Sequence, residues 1–205
     1  MPGASAEVAP SAMVTGATGG IGRAIASRLA RTGYRLTLSG RDEAALAKVA
    51  SDLADSDAEL HVVPADMTAE DDVRALARSH AEQFGSMDLL VLSAGTGTSG
   101  RIAGYPMRRF DRQISVNVRA PFALVQECLP ALRRAAVARP AHGARIAAIA
   151  SMVGIGIAGL LGGRVRTQAR AMGGFQQRAR LGQPALHQLP CRCFRAASGG
   201  LVRDP

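Results

Sequence analysis

The sequence predicts an α/β fold, a doubly wound parallel sheet with helices packed on it. Three observations carry this. Short apolar runs alternate with amphipathic stretches from residue 12 to residue 150, which is the grammar of repeated β-α units. A glycine-rich stretch, Met13-Val14-Thr15-Gly16-Ala17-Thr18-Gly19-Gly20-Ile21-Gly22, joins the first apolar run to the first amphipathic one. Finally, 205 residues with 47% apolar content suffice for one domain with a sizeable core. Aromatics make up only 3%, so that core is expected to be Ala, Val, Leu and Ile.

The elements follow in order. Residues 12–15 are a first strand. Residues 20–32 are a first helix, with Ile21, Ala24, Ile25 and Leu29 spaced on one face. Residues 35–39 are a second strand. Residues 42–53 are a second helix, whose Asp42 and Glu43 suit its positive end. Residues 60–64 are a third strand. Residues 69–84 are a third helix, with Thr68 as the expected N-cap. Residues 89–93 are a fourth strand, residues 107–136 one long helical region, and residues 145–150 a fifth strand. No linker interrupts these five repeats.

After Gly159 the pattern breaks. Gly, Arg and Gln dominate, and no acid appears until Asp204. The chain therefore divides into an α/β domain, residues 1–159, and an irregular basic tail, residues 160–205, with the sheet cut after its fifth strand. The charge divides the same way. Residues 1–150 hold 17 basic and 15 acidic side chains, a balance of +2, whereas residues 151–205 hold eight arginines and one acid, a balance of +7. The overall +9 belongs to the tail and does not describe the folded part. The tail reads either as a poorly ordered basic segment or as an out-of-frame translation. The abrupt break inside a well-patterned fold favours the second. A sheet cut at this point is expected to leave an edge and an apolar face uncovered, and so to aggregate.

The glycine stretch carries the first functional signal. Gly16, Gly20 and Gly22 lie between a strand and a helix. One glycine permits the tight turn, one lets the backbone approach a pyrophosphate, and one lets the helix pack close on the sheet. The free N–H groups and dipole of the helix start then favour an anion. This context is what a dinucleotide-binding turn requires.

Over residues 11 to about 159 the chain resembles the short-chain dehydrogenase/reductase family. Thr15 to Gly22, including Thr18, Gly20 and Ile21, match that family's cofactor turn. Asp66, followed by Met67 and Thr68, matches its adenine-contacting acid. Ser93-Ala94-Gly95 stands where the family usually has Asn-Ala-Gly. Asn117, in Ile114-Ser115-Val116-Asn117, matches the helix asparagine that holds a water in the proton relay. Ser151, in Ile149-Ala150-Ser151-Met152-Val153-Gly154, matches the catalytic serine. The resemblance implies a Rossmann-type fold and an NAD(P)(H)-dependent oxidoreductase, transferring hydride between nicotinamide and a carbonyl or secondary alcohol. It also implies a small-molecule substrate and a homo-oligomer, although only half of the family's dimer helices are recognisable here.

The second strand bears on cofactor choice. NAD-binding members end it with an acid for the ribose 2′-OH. Here that place is Gly40, followed by Arg41, which can hold a 2′-phosphate bidentately. NADP(H) is therefore favoured over NAD(H). Asp42 and the side-chain-less Gly19, where many NADP-binding relatives carry a second base, argue the other way.

The family's acid is missing. A tyrosine donates the proton, and a lysine four residues on brings its pKa down from about 10. Thirteen residues beyond Ser151 stands Arg164, and four further stands Gln168. Neither can substitute. The only tyrosines are Tyr34 and Tyr105, and the only lysine is Lys48. The chain as written is expected to be inactive or nearly so. The alternative class is a catalytically dead nucleotide-binding protein with a regulatory role.

Other chemistries are disfavoured. The four histidines, His61, His80, His142 and His187, are scattered singly. Cys191-Arg192-Cys193 is too closely spaced for a zinc knuckle, so no metal is expected. Ser151 lies in no Gly-x-Ser-x-Gly elbow, which argues against a hydrolase. Arg108-Arg109, Arg133-Arg134 and Asp71-Asp72 read as solvated helix faces. The longest apolar run, residues 146–161, falls short of the ~20 residues of a membrane helix. The first ten residues do not form a signal peptide, so a cytoplasmic location is expected. The tail offers only Phe175 and Phe194 for base stacking, which disfavours nucleic acid.

Overall fold

The computed structural model describes residues 8–150. Its strands are β1 (Ser11–Thr15), β2 (Arg35–Gly40), β3 (Leu60–Pro64), β4 (Leu89–Leu92) and β5 (Arg145–Ala148). All neighbours pair in parallel, in the order β3-β2-β1-β4-β5. The helices are α1 (Gly20–Arg31), α2 (Glu43–Asp52), α3 (Glu70–Phe84), α4 (Met107–Ile114) and α5 (Ala120–Ala138). The winding starts at β1, runs outward to β3, then returns to β4 on the other side of β1. This is the doubly wound, Rossmann-type sheet that the β-α repeats predict.

Alternation along each strand sends successive side chains to opposite faces, so the sheet has two cores. Met13 packs with Leu76, Met87, Leu90, Leu124 and Leu132 on one face. Ala12 and Val14 pack with Leu36, Leu38, Leu46, Val49 and Ala26 on the other. All five residues of β1 are buried. Each fully buried Leu or Met contributes roughly 1.5–3 kcal/mol. By contrast, all four residues of β5 are exposed, and among the described residues β5 is one edge of the sheet, with β3 at the other.

The structure corrects several expectations. α1 turns its small residues, Gly22, Ala26 and Ala30, to the sheet. Ile21 and Ala24, assigned from periodicity to the packing face, are exposed, and Ile25 and Leu29 flank the contact only partly buried. Close approach to a sheet favours the narrow face over the bulky one. Thr68 does not cap α3. Its N–H and its hydroxyl both donate to Asp66 Oδ1, each at 2.9 Å, and the cap position falls to Ala69, which has no side-chain bond. Asp42 does cap α2, accepting from the Ala45 N–H at 3.0 Å. The long helical region is broken: Ser115–Arg119 forms a π turn between α4 and α5. Of the pairs read as solvated faces, Asp72 is partly buried, and Arg134 stays exposed while making a bond. Asp72 accepts from the Asp66 N–H at 2.9 Å, and Arg134 donates to the Gly85 carbonyl at 2.6 Å.

Two buried polar groups fasten the sheet's lower half. Asp88, at the start of β4, accepts from the Ser11 N–H at 2.8 Å and from Arg139 at 2.5 Å. His80, on α3, is fully buried, with Nδ1 2.7 Å from the Thr37 hydroxyl and Nε2 3.2 Å from the Ser86 carbonyl. The second contact makes Nε2 the donor, which leaves Nδ1 to accept from Thr37. Burial pushes the His80 pKa down to about 4.

Candidate functional site

In a doubly wound sheet the winding reversal opens a crevice beyond the carboxyl ends of the strands. Here that point lies between β1 and β4, and the loops there enclose a cleft of about 270 Å³. Three of its walls come from the glycine turn after β1, the loop after β2, and the loop after β4.

The glycine turn is held by backbone bonds. The Ala17 N–H donates to the Ser39 carbonyl at 2.9 Å, and the Gly19 N–H donates to the Gly16 carbonyl at 3.0 Å. Gly16 has φ +65°, and a Cβ there would lie 2.8 Å from Ala94 Cα. Both the dihedral and the contact require glycine. A Cβ on Gly22 would lie 2.2 Å from the Gly16 carbonyl oxygen. Gly20 differs, because nothing among the described residues lies within 4 Å of its Cβ position. The first N–H groups of α1 have no intrahelical acceptor, and the first turn holds no acid.

Thr15 ties the two central strands at this end. Its hydroxyl accepts from the N–H groups of Ser93 and Ala94, both at 3.1 Å, and donates to the Val91 carbonyl at 3.3 Å. Asn117 sits in the π turn and pins the loop after β4. Its Oδ1 accepts from the Thr96 N–H at 2.9 Å, and its Nδ2 donates to the Thr96 carbonyl at 2.7 Å. π turns inside helices occur frequently at functional sites.

Asp66 stands where β3 ends. The Thr68 N–H bond is the main influence holding its carboxyl below the usual range. Burial opposes this, and the Thr68 hydroxyl, Arg41 and Arg112 add to it. A charged acceptor therefore faces a cleft that also holds two guanidinium groups. Ser39 is fully buried, lines the cleft, and has no hydrogen-bond partner for its hydroxyl among the described residues. An unpaired buried hydroxyl costs about 1–3 kcal/mol.

Gly16, Thr18, Arg41, Asp66, Met67, Ser93, Ala94 and Gly95 thus come together as cleft-lining residues. Gly20, Ile21 and Gly22 form the first turn of α1 beside them. Thr15 and Asn117 stand behind the lining and hold its loops in place. Ser151 and the tail, with Cys191, Cys193 and His187, lie outside the described residues. Motif reading missed Ser39, Ala65, Thr96, Arg112 and Val116, which also line the cleft. Ser39 could have been suspected as a hydroxyl in an apolar strand. Arg112 lies outside every motif, and only the face that α4 turns to the cleft reveals it.

A second cleft, of about 400 Å³, opens at the other end of the sheet beside Tyr34, Asp88, Arg139 and Arg145. Its buried carboxylate is already claimed by Ser11 and Arg139. Among the described residues no group of three or more His, Cys, Asp or Glu could hold a metal ion, and no helix is long and apolar enough to cross a membrane.

A Rossmann-type sheet with this glycine turn at its switch point defines a nucleotide-binding α/β protein. Residues 10–160 match the short chain dehydrogenase family, and the chain belongs to it. One relative is the rhamnolipids biosynthesis 3-oxoacyl-[acyl-carrier-protein] reductase of Pseudomonas aeruginosa, 35% identical over 148 residues, covering 72% of this chain and 57% of that protein. Among solved structures, the Pseudomonas aeruginosa RhlG/NADP active-site complex superposes with a TM-score of 0.68 at 31% identity, covering 85% of this chain and 66% of that one. A short chain dehydrogenase/reductase from Burkholderia phymatum in complex with NAD gives a TM-score of 0.65 at 32% identity, covering 72% and 50%. The chain spans about half the length of the curated relatives it matches.

Proposed function

We propose that the cleft binds a nicotinamide dinucleotide, with NADP(H) preferred over NAD(H), on a scaffold for hydride transfer that lacks its proton donor. The observation that carries this reading is the contrast within the glycine turn. Gly16 and Gly22 are closed off by protein atoms, while Gly20 is open among the described residues. Packing within the turn accounts for glycine at the two closed positions, and the middle one leaves room beside the helix start. An anion approaching the first turn of α1 uses that space.

The other residues fit the same ligand. Arg41 follows β2, where a 2′-phosphate would be met. Asp66, kept ionised, accepts a hydrogen bond from an adenine amino group. The complexes of relatives with NADP and with NAD support a nicotinamide nucleotide without deciding between the two.

The bound nucleotide supplies or accepts the hydride exchanged with a carbonyl or secondary alcohol. The protein's part is binding, orientation and the proton. Asn117 orders the relay, and Ser151 polarises the substrate oxygen. The proton is the missing part, because the sequence has Arg164 and Gln168 where a Tyr and a Lys would stand. Loss of a positioned general acid costs ~10²–10⁴ in rate, and loss of the cation adds to it. In this reading residues 1–159 are the nucleotide-binding domain and residues 160–205 a tail that contributes no recognised catalytic group.

The intact cleft beside a missing acid also favours a second reading, a nucleotide-binding regulatory protein. Fluorescence titration with NADPH and NADH, followed by turnover assays against a panel of aldehydes and ketones, tests both readings. Binding of NADPH with no turnover is the expected result. Steady NADPH oxidation by purified protein would overturn the inactivity. Absence of binding to a cooperatively folded protein would overturn the nucleotide site.

A further inference from the structure

The cleft holds a cation that no motif marks. Arg112 lies on α4, one turn ahead of Val116, and both residues line the cleft. α4 also carries Arg108 and Arg109, yet neither of these lines it. Arg112 therefore differs from its neighbours in position, not in type. Arg41 reaches the same cleft from the loop after β2. Both guanidinium groups act on the Asp66 carboxyl. Neither makes a hydrogen bond or close ion pair among the described residues.

Two cations and one carboxylate share this cleft, and the carboxylate already accepts two bonds from Thr68. The balance is positive, which favours an anion there. A phosphate monoester carries about −1.5 to −2 at neutral pH and three acceptor oxygens. It can engage two guanidinium groups at once, each through paired N–H donors. A ribose 2′-hydroxyl can do neither.

We propose that Arg112 is a second specificity-determining residue of the nucleotide cleft, closing with Arg41 on the 2′-phosphate of the ligand from the α4 side. The proposal rests on the nucleotide-binding reading above. It also answers the absence of a side chain at Gly19, since the second cation comes from another wall of the cleft. Arg112 is exposed on its helix, so a neutral residue there leaves the core untouched.

The test is calorimetric titration of the full chain with adenosine 2′,5′-bisphosphate and with 5′-AMP. The variants are Arg112→Gln, Arg41→Gln and Arg108→Gln. Arg112→Gln is expected to weaken the bisphosphate about tenfold and 5′-AMP by about twofold or less. Arg41→Gln should behave alike, and Arg108→Gln should change neither ligand. Equal weakening of both ligands by Arg112→Gln would overturn the proposal, because the residue would then hold the nucleotide without reading the 2′-phosphate. So would equal weakening of the bisphosphate by Arg108→Gln, which would make the effect one of general charge. A wild type that prefers the bisphosphate while Arg112→Gln is silent would sink this inference alone. A folded wild type that binds neither probe would sink the nucleotide reading and this inference with it.

Discussion

Gly22 lies so close under Gly16 that a Cβ on it would stand 2.2 Å from the Gly16 carbonyl oxygen. The first turn of α1 is thereby pressed against the turn that precedes it. The contact is with backbone and cannot be relieved by a rotamer change. Gly22→Ala should thus destabilise the domain by about 3 kcal/mol or more, although alanine elsewhere in a helix gains about 0.5–1 kcal/mol over glycine. Thermal or urea melts of the two proteins check this, and a variant as stable as wild type would mean that the turn is looser than described.

Gly20 predicts the opposite pattern. Among the described residues no atom lies within 4 Å of its Cβ position, so Gly20→Ala should fold with an unchanged or slightly raised melting temperature. The methyl group would occupy the space through which a pyrophosphate approaches the α1 N–H groups. NADPH binding should fall by more than about tenfold while stability holds. A variant that binds normally would place the phosphate elsewhere.

Thr15 is expected to act through the loop it holds. Its one hydroxyl oxygen accepts from both Ser93 and Ala94. Thr15→Val keeps the shape and leaves two N–H groups without their acceptor, at a cost of about 1–3 kcal/mol. Thr15→Ser should restore most of the loss, since it restores the oxygen. Denaturant melts of the pair decide it. Equal stability of Val and Ser variants would show that shape, not the hydroxyl, matters here.

Much of this was legible in advance. The five strands are apolar runs bounded by turns, and none was misplaced by more than two residues. Asp42 was legible as an acid at a helix start. What failed depended on which side of an element meets its neighbour. Periodicity selected Ile21 and Ala24, whereas the sheet selected Gly22, Ala26 and Ala30, because close packing rewards the absence of side-chain bulk. Thr68 looked like a cap because its type suits one, but Asp66 two residues earlier captured both of its donors. The π turn at Asn117 left no trace, since its residues are ones an unbroken α-helix also accepts. The cleft residues within the glycine turn and after β3 and β4 were legible as motifs. Arg112 and Ser39 were not, since their roles follow from the direction a side chain takes and from what it fails to bond.

His80 gives the fold a pH dependence whose direction can be worked out. Its folded-state pKa of about 4 lies below its ordinary 6.5. Burial is the largest cause, with the charges of His61 and Arg35 adding to it and the Ser86 bond and Asp88 opposing it. Above pH 6.5 the ring is neutral in both states. As the pH falls through 6.5, the unfolded chain takes up a proton that the folded chain refuses, so stability declines from about pH 6.5 down to about pH 4. Between pH 7 and pH 5 the loss from this group should be about 2 kcal/mol. Asp66, whose carboxyl is held below its usual range, contributes a separate loss that begins only in the carboxylate range and continues below it. His80→Gln keeps hydrogen-bonding atoms near Thr37 and Ser86 and removes the titration. Whatever its effect at pH 7, its stability should change less than that of wild type between pH 7 and pH 5. Urea melts of both proteins at the two pH values measure the difference. Parallel losses in wild type and variant would place the acid sensitivity in some other group.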